Sequence, residues 1–189
     1  MGIAKRHLSG ETRLEHDLLG EKQIPVEYYF GIQTARALEN FNISRVQLHF
    51  FPELVNALAI VKEAAARANA KLGLLDPRVA KAIEKACQEI EKGALHDQFV
   101  VDMVQGGAGT STNMNANEVI ANRALELMGH KRGEYRYVHP NNDVNLSQST
   151  NDAYPTAVKI ALLNTNPKLI ASLKKLVAAF RAKGKEFAH

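Results

Sequence analysis

Two short runs gather most of the side chains in this sequence that could hold a charged ligand. Residues 105–118 read "QGGAGTSTNMNANE" and residues 139–155 read "HPNNDVNLSQSTNDAYP". The first places Gly106, Gly107 and Gly109 ahead of Thr110, Ser111, Thr112, Asn113 and Asn115, at the head of an expected helix. Glycines let a backbone come close to a ligand, and the first amides of a helix are unpaired, so an anion suits this run. The second run repeats the palette with Ser147, Ser149, Thr150 and Asn151 before another helix start. Taken singly, each is the composition of an N-capped turn, because Ser, Thr, Asn and Asp bond the local backbone there. Two such clusters exceed what two caps require. Neutral donors in a desolvated pocket bind carboxylates, and their bonds strengthen as negative charge develops in a reaction.

Other chemistries fit less well. "FVVDMV" (99–104) reads as a buried strand, and with the glycines and helix after it suggests the opening of a dinucleotide-binding unit. Counting from Gly107 and Gly109, however, puts Thr112 where a third small residue is needed, and no alternating strand-helix pattern surrounds it. A phosphate loop would need a lysine before the helix hydroxyl, where this chain has "TSTNMN". The lone cysteine, Cys87, keeps helical spacing with Ile83 and Ile90 and reads as a buried thiol without a chemical role. His139 has the intrinsic pKa of a general base and invites that assignment.

The elements that must position these runs are helices. One begins near Pro52 and ends at Gly73, with Leu54, Ala57, Leu58, Val61, Ala64, Ala65, Ala68 and Leu72 as its expected apolar stripe. A second runs from Pro77 to Gly93; Asp76 caps it and Val79, Ile83, Ala86 and Ile90 face inward. A third follows the glycine run, with Val119, Ile120, Ala124, Leu127 and Met128 apolar and Gly129 at its end. A fourth is expected to start near Pro155, break around "NTNP" and restart at Pro167. Its Ile170, Leu173, Leu176, Val177 and Phe180 demand a partner surface, so the sequence suggests part of a longer polypeptide.

Composition is that of a globular chain: 189 residues, 46% hydrophobic and 23% charged. No apolar run is long enough for a membrane span, and "MGIAKRHLSGETR" lacks the apolar core of a secretion signal, which points to the cytoplasm. The net charge of +4 is concentrated in the last helix, at Lys168, Lys174, Lys175, Arg181, Lys183 and Lys185. A solvated helix face accounts for it, and without interleaved aromatics it makes no stacking platform for nucleic acid.

Three longer segments resemble the aspartase/class II fumarase superfamily, in its aspartate ammonia-lyase branch: residues 13–44, residues 105–126 as a first signature region, and residues 139–157 as a second. The likeness covers nearly the whole chain as the N-terminal portion of such a protein, and "QGGAGTS" and "STNDAYP" are closer to aspartases than to fumarases. The resemblance implies a mainly α fold: a small N-terminal helical domain over residues 1–150, then the start of a long-helix bundle over 151–189. It implies reversible loss of ammonia from L-aspartate to give fumarate, with no organic cofactor and no metal ligand, and leaves activation by a divalent metal open. By motif position, Thr110, Ser149 and Thr150 would hold the β-carboxylate. Asn151 would orient the departing amino group, with Thr110 a second candidate for that task. Each donor would contribute roughly 3 kcal/mol if it acts as an oxyanion-hole contact does. The catalytic base of the family, a loop serine, matches nothing in this chain, and a homotetramer with sites shared by three subunits is expected. Ser111 and Asn113 are secondary candidates; Asn113 and Asn115 would line the site or pin the helix start, the latter being the simpler reading. His139, Asn141, Asn142 and Asp143 match a region that forms a secondary anion site in fumarases, or else serve structure alone. The alternatives are a fumarase part and a non-catalytic helical interaction domain.

Overall fold

The computed structural model describes residues 9–188, so the reading of the first residues as free of a secretion signal, and the fate of His189, lie outside the described residues. The chain opens with an antiparallel hairpin, strands β1 (Thr12–Asp17) and β2 (Gly20–Pro25), in which Leu14 pairs with Gln23. Helix α1 (Ile32–Asn40) follows, and both elements precede the first helix legible from periodicity. The N-cap of α1 is Gly31, which offers no side chain, so its free amides turn elsewhere. Glu118 accepts from Gly31, Gln33 and Thr34 backbone N–H groups at 2.8, 2.8 and 3.1 Å, and Glu15 accepts from Ile32 at 2.8 Å. Two buried carboxylates from distant segments thus cap one short helix, with the helix dipole in their favour.

Helices α2 (Pro52–Lys71) and α3 (Pro77–Glu91) form an antiparallel pair. Asp76 caps α3 as its sequence suggests, its carboxylate accepting from the Arg78 N–H at 2.7 Å. Ala80, Ile83, Ala86, Cys87 and Ile90 are buried on α3, and burial pushes the Cys87 thiol well up, so it stays neutral. On α2 the buried face is Leu54, Val55, Leu58, Lys62, Ala66 and Asn69, whereas Ala64, Ala68 and Leu72 of the expected stripe are exposed. Small alanines count as apolar in a periodicity and still sit comfortably in water; two polar residues took the inner positions instead.

Helix α4 (Thr110–Leu127) runs through the middle and is buried almost all round from Thr112 to Leu125. Val119, Ile120 and Ala124 join the core; Leu127 and Met128 pack at its margin. Phe99, Val100 and Val101 are buried ahead of it, yet "FVVDMV" is no strand: it makes one isolated bridge, between Gln47 and Asp102. Leu48 and Met103 backbone amides extend that contact, and the Asp102 carboxylate accepts from Ser44 and Arg45 amides, so the segment is tied by single bonds rather than a ladder.

Helix α5 (Thr150–Glu186) differs from expectation at two points. It starts five residues before Pro155, because Ser149 and Asp152 form a capping box, and Pro155 then lies in the second turn, where its missing N–H leaves the Asn151 carbonyl without its helical donor. It also runs unbroken past Pro167, at the cost of one backbone bond on an exposed stretch. Its first turns pack on α2 and α4; Leu169, Ile170, Leu173, Leu176, Val177 and Phe180 further along are exposed. Among the described residues no helix is long and apolar enough to cross a membrane.

Candidate active site

The two signature runs meet where α4 and α5 begin. Gly109, the N-cap of α4, has φ +88°, and a Cβ there would lie 2.5 Å from the Tyr154 ring on the first turn of α5. Only glycine allows that approach and that backbone. One turn into α4, Asn113 Nδ2 donates to Thr150 Oγ1 at 3.1 Å, so the two runs are hydrogen-bonded as well as packed. Thr112 is buried and clasped by Gln105, whose Oε1 accepts from the Thr112 N–H at 2.9 Å and whose Nε2 donates to its hydroxyl. That clasp closes the glycine run on itself and fixes the first turn of α4.

Around this junction the named residues divide. Thr110 and Asn151 are exposed and Ser111 is half-buried; among the described residues none of their side chains has a hydrogen-bond partner. Thr150 is half-buried with its hydroxyl held as an acceptor. Ser149 is the N-cap of α5, its hydroxyl accepting from the Asn151 N–H at 3.2 Å while its own N–H donates to Asp152. Asn115 is wholly structural: Oδ1 accepts from the Val100 N–H and Nδ2 donates to the Gln98 carbonyl, both at 2.9 Å.

His139 caps a π-turn over Pro140–Val144, with Nδ1 accepting from Asn141 and Asn142 amides at 3.0 and 3.1 Å. Its own N–H donates to the Asp143 carboxylate at 2.7 Å. A nitrogen with two backbone donors carries no proton, and burial lowers the ring's pKa further. These are the contacts of a cap. Asn141 and Asn142 are exposed beside it.

The residue that periodicity hid is Lys62. Its side chain is fully buried, at 0% exposure, and Nζ donates to three side-chain amide oxygens: Asn113 Oδ1 at 2.6 Å, Asn145 Oδ1 at 2.9 Å and Gln148 Oε1 at 3.0 Å. Among the described residues no carboxylate touches it, and burial holds its pKa down to about 7. Asn145 Oδ1 is the hub, since Asn113 and Asn117 Nδ2 groups also donate to it, at 3.0 and 3.2 Å. The sequence did carry a signal: Val55, Lys62 and Asn69 recur every seven residues, in phase with Leu58 and Ala66 on the buried face.

A family model described as Lyase matches residues 20–189. An aspartate ammonia-lyase of Pseudomonas fluorescens is 59% identical over 94% of this chain and 37% of its own length. A crystal structure of a fumarate lyase:delta crystallin from Brucella melitensis superposes with a TM-score of 0.91 at 60% identity, over 94% of this chain and 41% of that one. A class II fumarase from Schistosoma mansoni gives 0.86 at 40% identity, over 94% and 37%. The chain therefore spans well under half the length of the relatives it matches.

Proposed function

This chain belongs to the lyase family whose model spans residues 20–189, and on that footing we propose that it is the part of an aspartate ammonia-lyase that supplies hydroxyl and amide contacts to the substrate. In that reaction a base removes the proton beside the β-carboxylate of L-aspartate. The electrons of the broken C–H bond rest on the carboxylate as a doubly charged aci-form, then close the C=C bond of fumarate as the C–N bond breaks and ammonia leaves. Catalysis rests on holding the aci-form better than the substrate.

The observation that supports this reading is the Asn113–Thr150 bond: it brings the second run's hydroxyl to the head of α4, where Thr110 and Ser111 have unbonded side chains among the described residues. In this assignment Thr110, Ser149 and Thr150 take the β-carboxylate and Asn151 the amino group. The proton-abstracting serine belongs to a loop outside residues 1–189. Residues 1–150 act as the N-terminal domain and 151–189 begin a helical bundle, which a cytoplasmic homotetramer would complete over the exposed stripe of α5.

The test is product formation. Full-length protein incubated with fumarate and ammonium should give aspartate; malate from fumarate alone would make it a fumarase instead, and neither product would leave a non-catalytic domain. Thr150→Ala should lower turnover by roughly 10²–10³-fold, as loss of an oxyanion-hole donor does; unchanged kinetics would remove Thr150 from the site. Residues 1–189 alone should produce no fumarate absorbance.

A further inference from the structure

Lys62 is out of reach of any bound substrate, being fully buried, yet it stands two hydrogen bonds behind Thr150. An ammonium has three donors and no acceptor, so every group it meets must turn an oxygen toward it. The Asn113 carboxamide consequently presents Oδ1 to Lys62 and Nδ2 to the opposite side, where Thr150 Oγ1 and Asn145 Oδ1 lie. A hydroxyl that accepts from Nδ2 keeps its own proton to give away. Without the ammonium, Asn113 could flip; Thr150 would then donate to Oδ1 and have no proton for a carboxylate.

We propose that Lys62 is a positioning residue of the lyase site: through Asn113 it fixes the Thr150 hydroxyl as a donor toward the substrate's carboxylate, and through Asn145 and Gln148 it anchors the loop that delivers Thr150. The inference rests on the proposed lyase function. Below about pH 7, where Lys62 holds its proton, its charge serves the same end, because a buried cation polarises the chain of bonds toward the developing aci-carboxylate. Two titratable groups face it: Asp152 on α5, whose carboxylate favours the ammonium, and Cys87 on α3, whose thiol is neutral. The amide oxygens of α4 and the 145–148 loop supply the rest.

The test uses protein with measured aspartate-deaminating activity, so an inactive preparation counts against the function and not against Lys62. Asn113→Asp keeps an oxygen for Lys62 and pairs its charge more favourably, but removes Nδ2–H. Turnover should fall by at least about tenfold, toward the loss seen on removing a donor outright, with KM little changed. Wild-type turnover in Asn113→Asp would overturn the proposal. A second arm compares Lys62→Met, Thr150→Val and the double variant. If Lys62 acts through Thr150, the double variant is as slow as Thr150→Val alone. Equal fractional losses in both backgrounds would make Lys62 a packing residue and overturn the proposal; should Lys62→Met not fold, Asn113→Asp decides alone.

Discussion

Ser149 and Thr150 are neighbours with different duties, because one is the last residue outside a helix and the other the first inside it. The Ser149 hydroxyl spends an acceptor on the Asn151 amide, which is how an N-cap works, and it retains a proton that could face a substrate. The two roles separate by experiment. Aspartate caps as well as serine, so Ser149→Asp should leave the melting temperature near that of the parent. If Ser149 also touches the β-carboxylate, the new charge should raise KM for aspartate by roughly tenfold or more. Steady-state kinetics decide, and an unchanged KM would confine Ser149 to the cap. Thr110 and Asn151 lack this ambiguity, since neither side chain is bonded within the described residues.

Two helix starts define the junction, and a glycine sets how close they come. Gly109 lies in the left-handed region at φ +88° with Tyr154 in the space a side chain would need. Gly109→Ala should therefore destabilise the fold by about 1–3 kcal/mol and lower turnover, by moving α4 away from α5. Urea denaturation beside kinetics checks it; parental stability would mean that the tyrosine ring yields freely. Midway along α4, Glu118 shows the same economy of construction, for one buried carboxylate ties the helix to three amides at the start of α1.

Two buried ionisable groups should shape the stability of the whole molecule against pH. Burial holds Lys62 down to about 7 from the ordinary 10.5. Between those values the unfolded chain binds a proton that the native chain does not, so this contribution rises from about pH 7 toward 10.5 and is lost as pH falls back through 7. Glu118 is pushed by burial up to about 7 from 4.5, against the pull of its amide donors. There the native chain holds the extra proton, and its contribution, full below 4.5, declines as pH rises to about 7. Urea midpoints across pH should show Lys62→Met flattening the upper window and Glu118→Gln the lower. Parallel curves for variant and parent would show that the native site is wetter than its burial implies.

Sequence alone determined the helices with strong apolar periods, the Asp76 cap, the buried Cys87 and the two runs that meet at the junction. Their signals are local: a period, a capping side chain, a cluster of donors within a dozen residues. It also carried the family likeness, through segments too long to match by chance. Hairpin β1–β2 and helix α1 escaped it, since six-residue strands and a helix capped from 87 residues away give no local period. The continuity of α5 past Pro167 escaped it too, because a proline weakens a helix without deciding whether its neighbours hold the turn. Only the tertiary structure could turn Lys62 inward: a lysine is ordinarily a solvent residue, and what makes its burial tolerable is three amide oxygens drawn from α4 and from a loop more than eighty residues away.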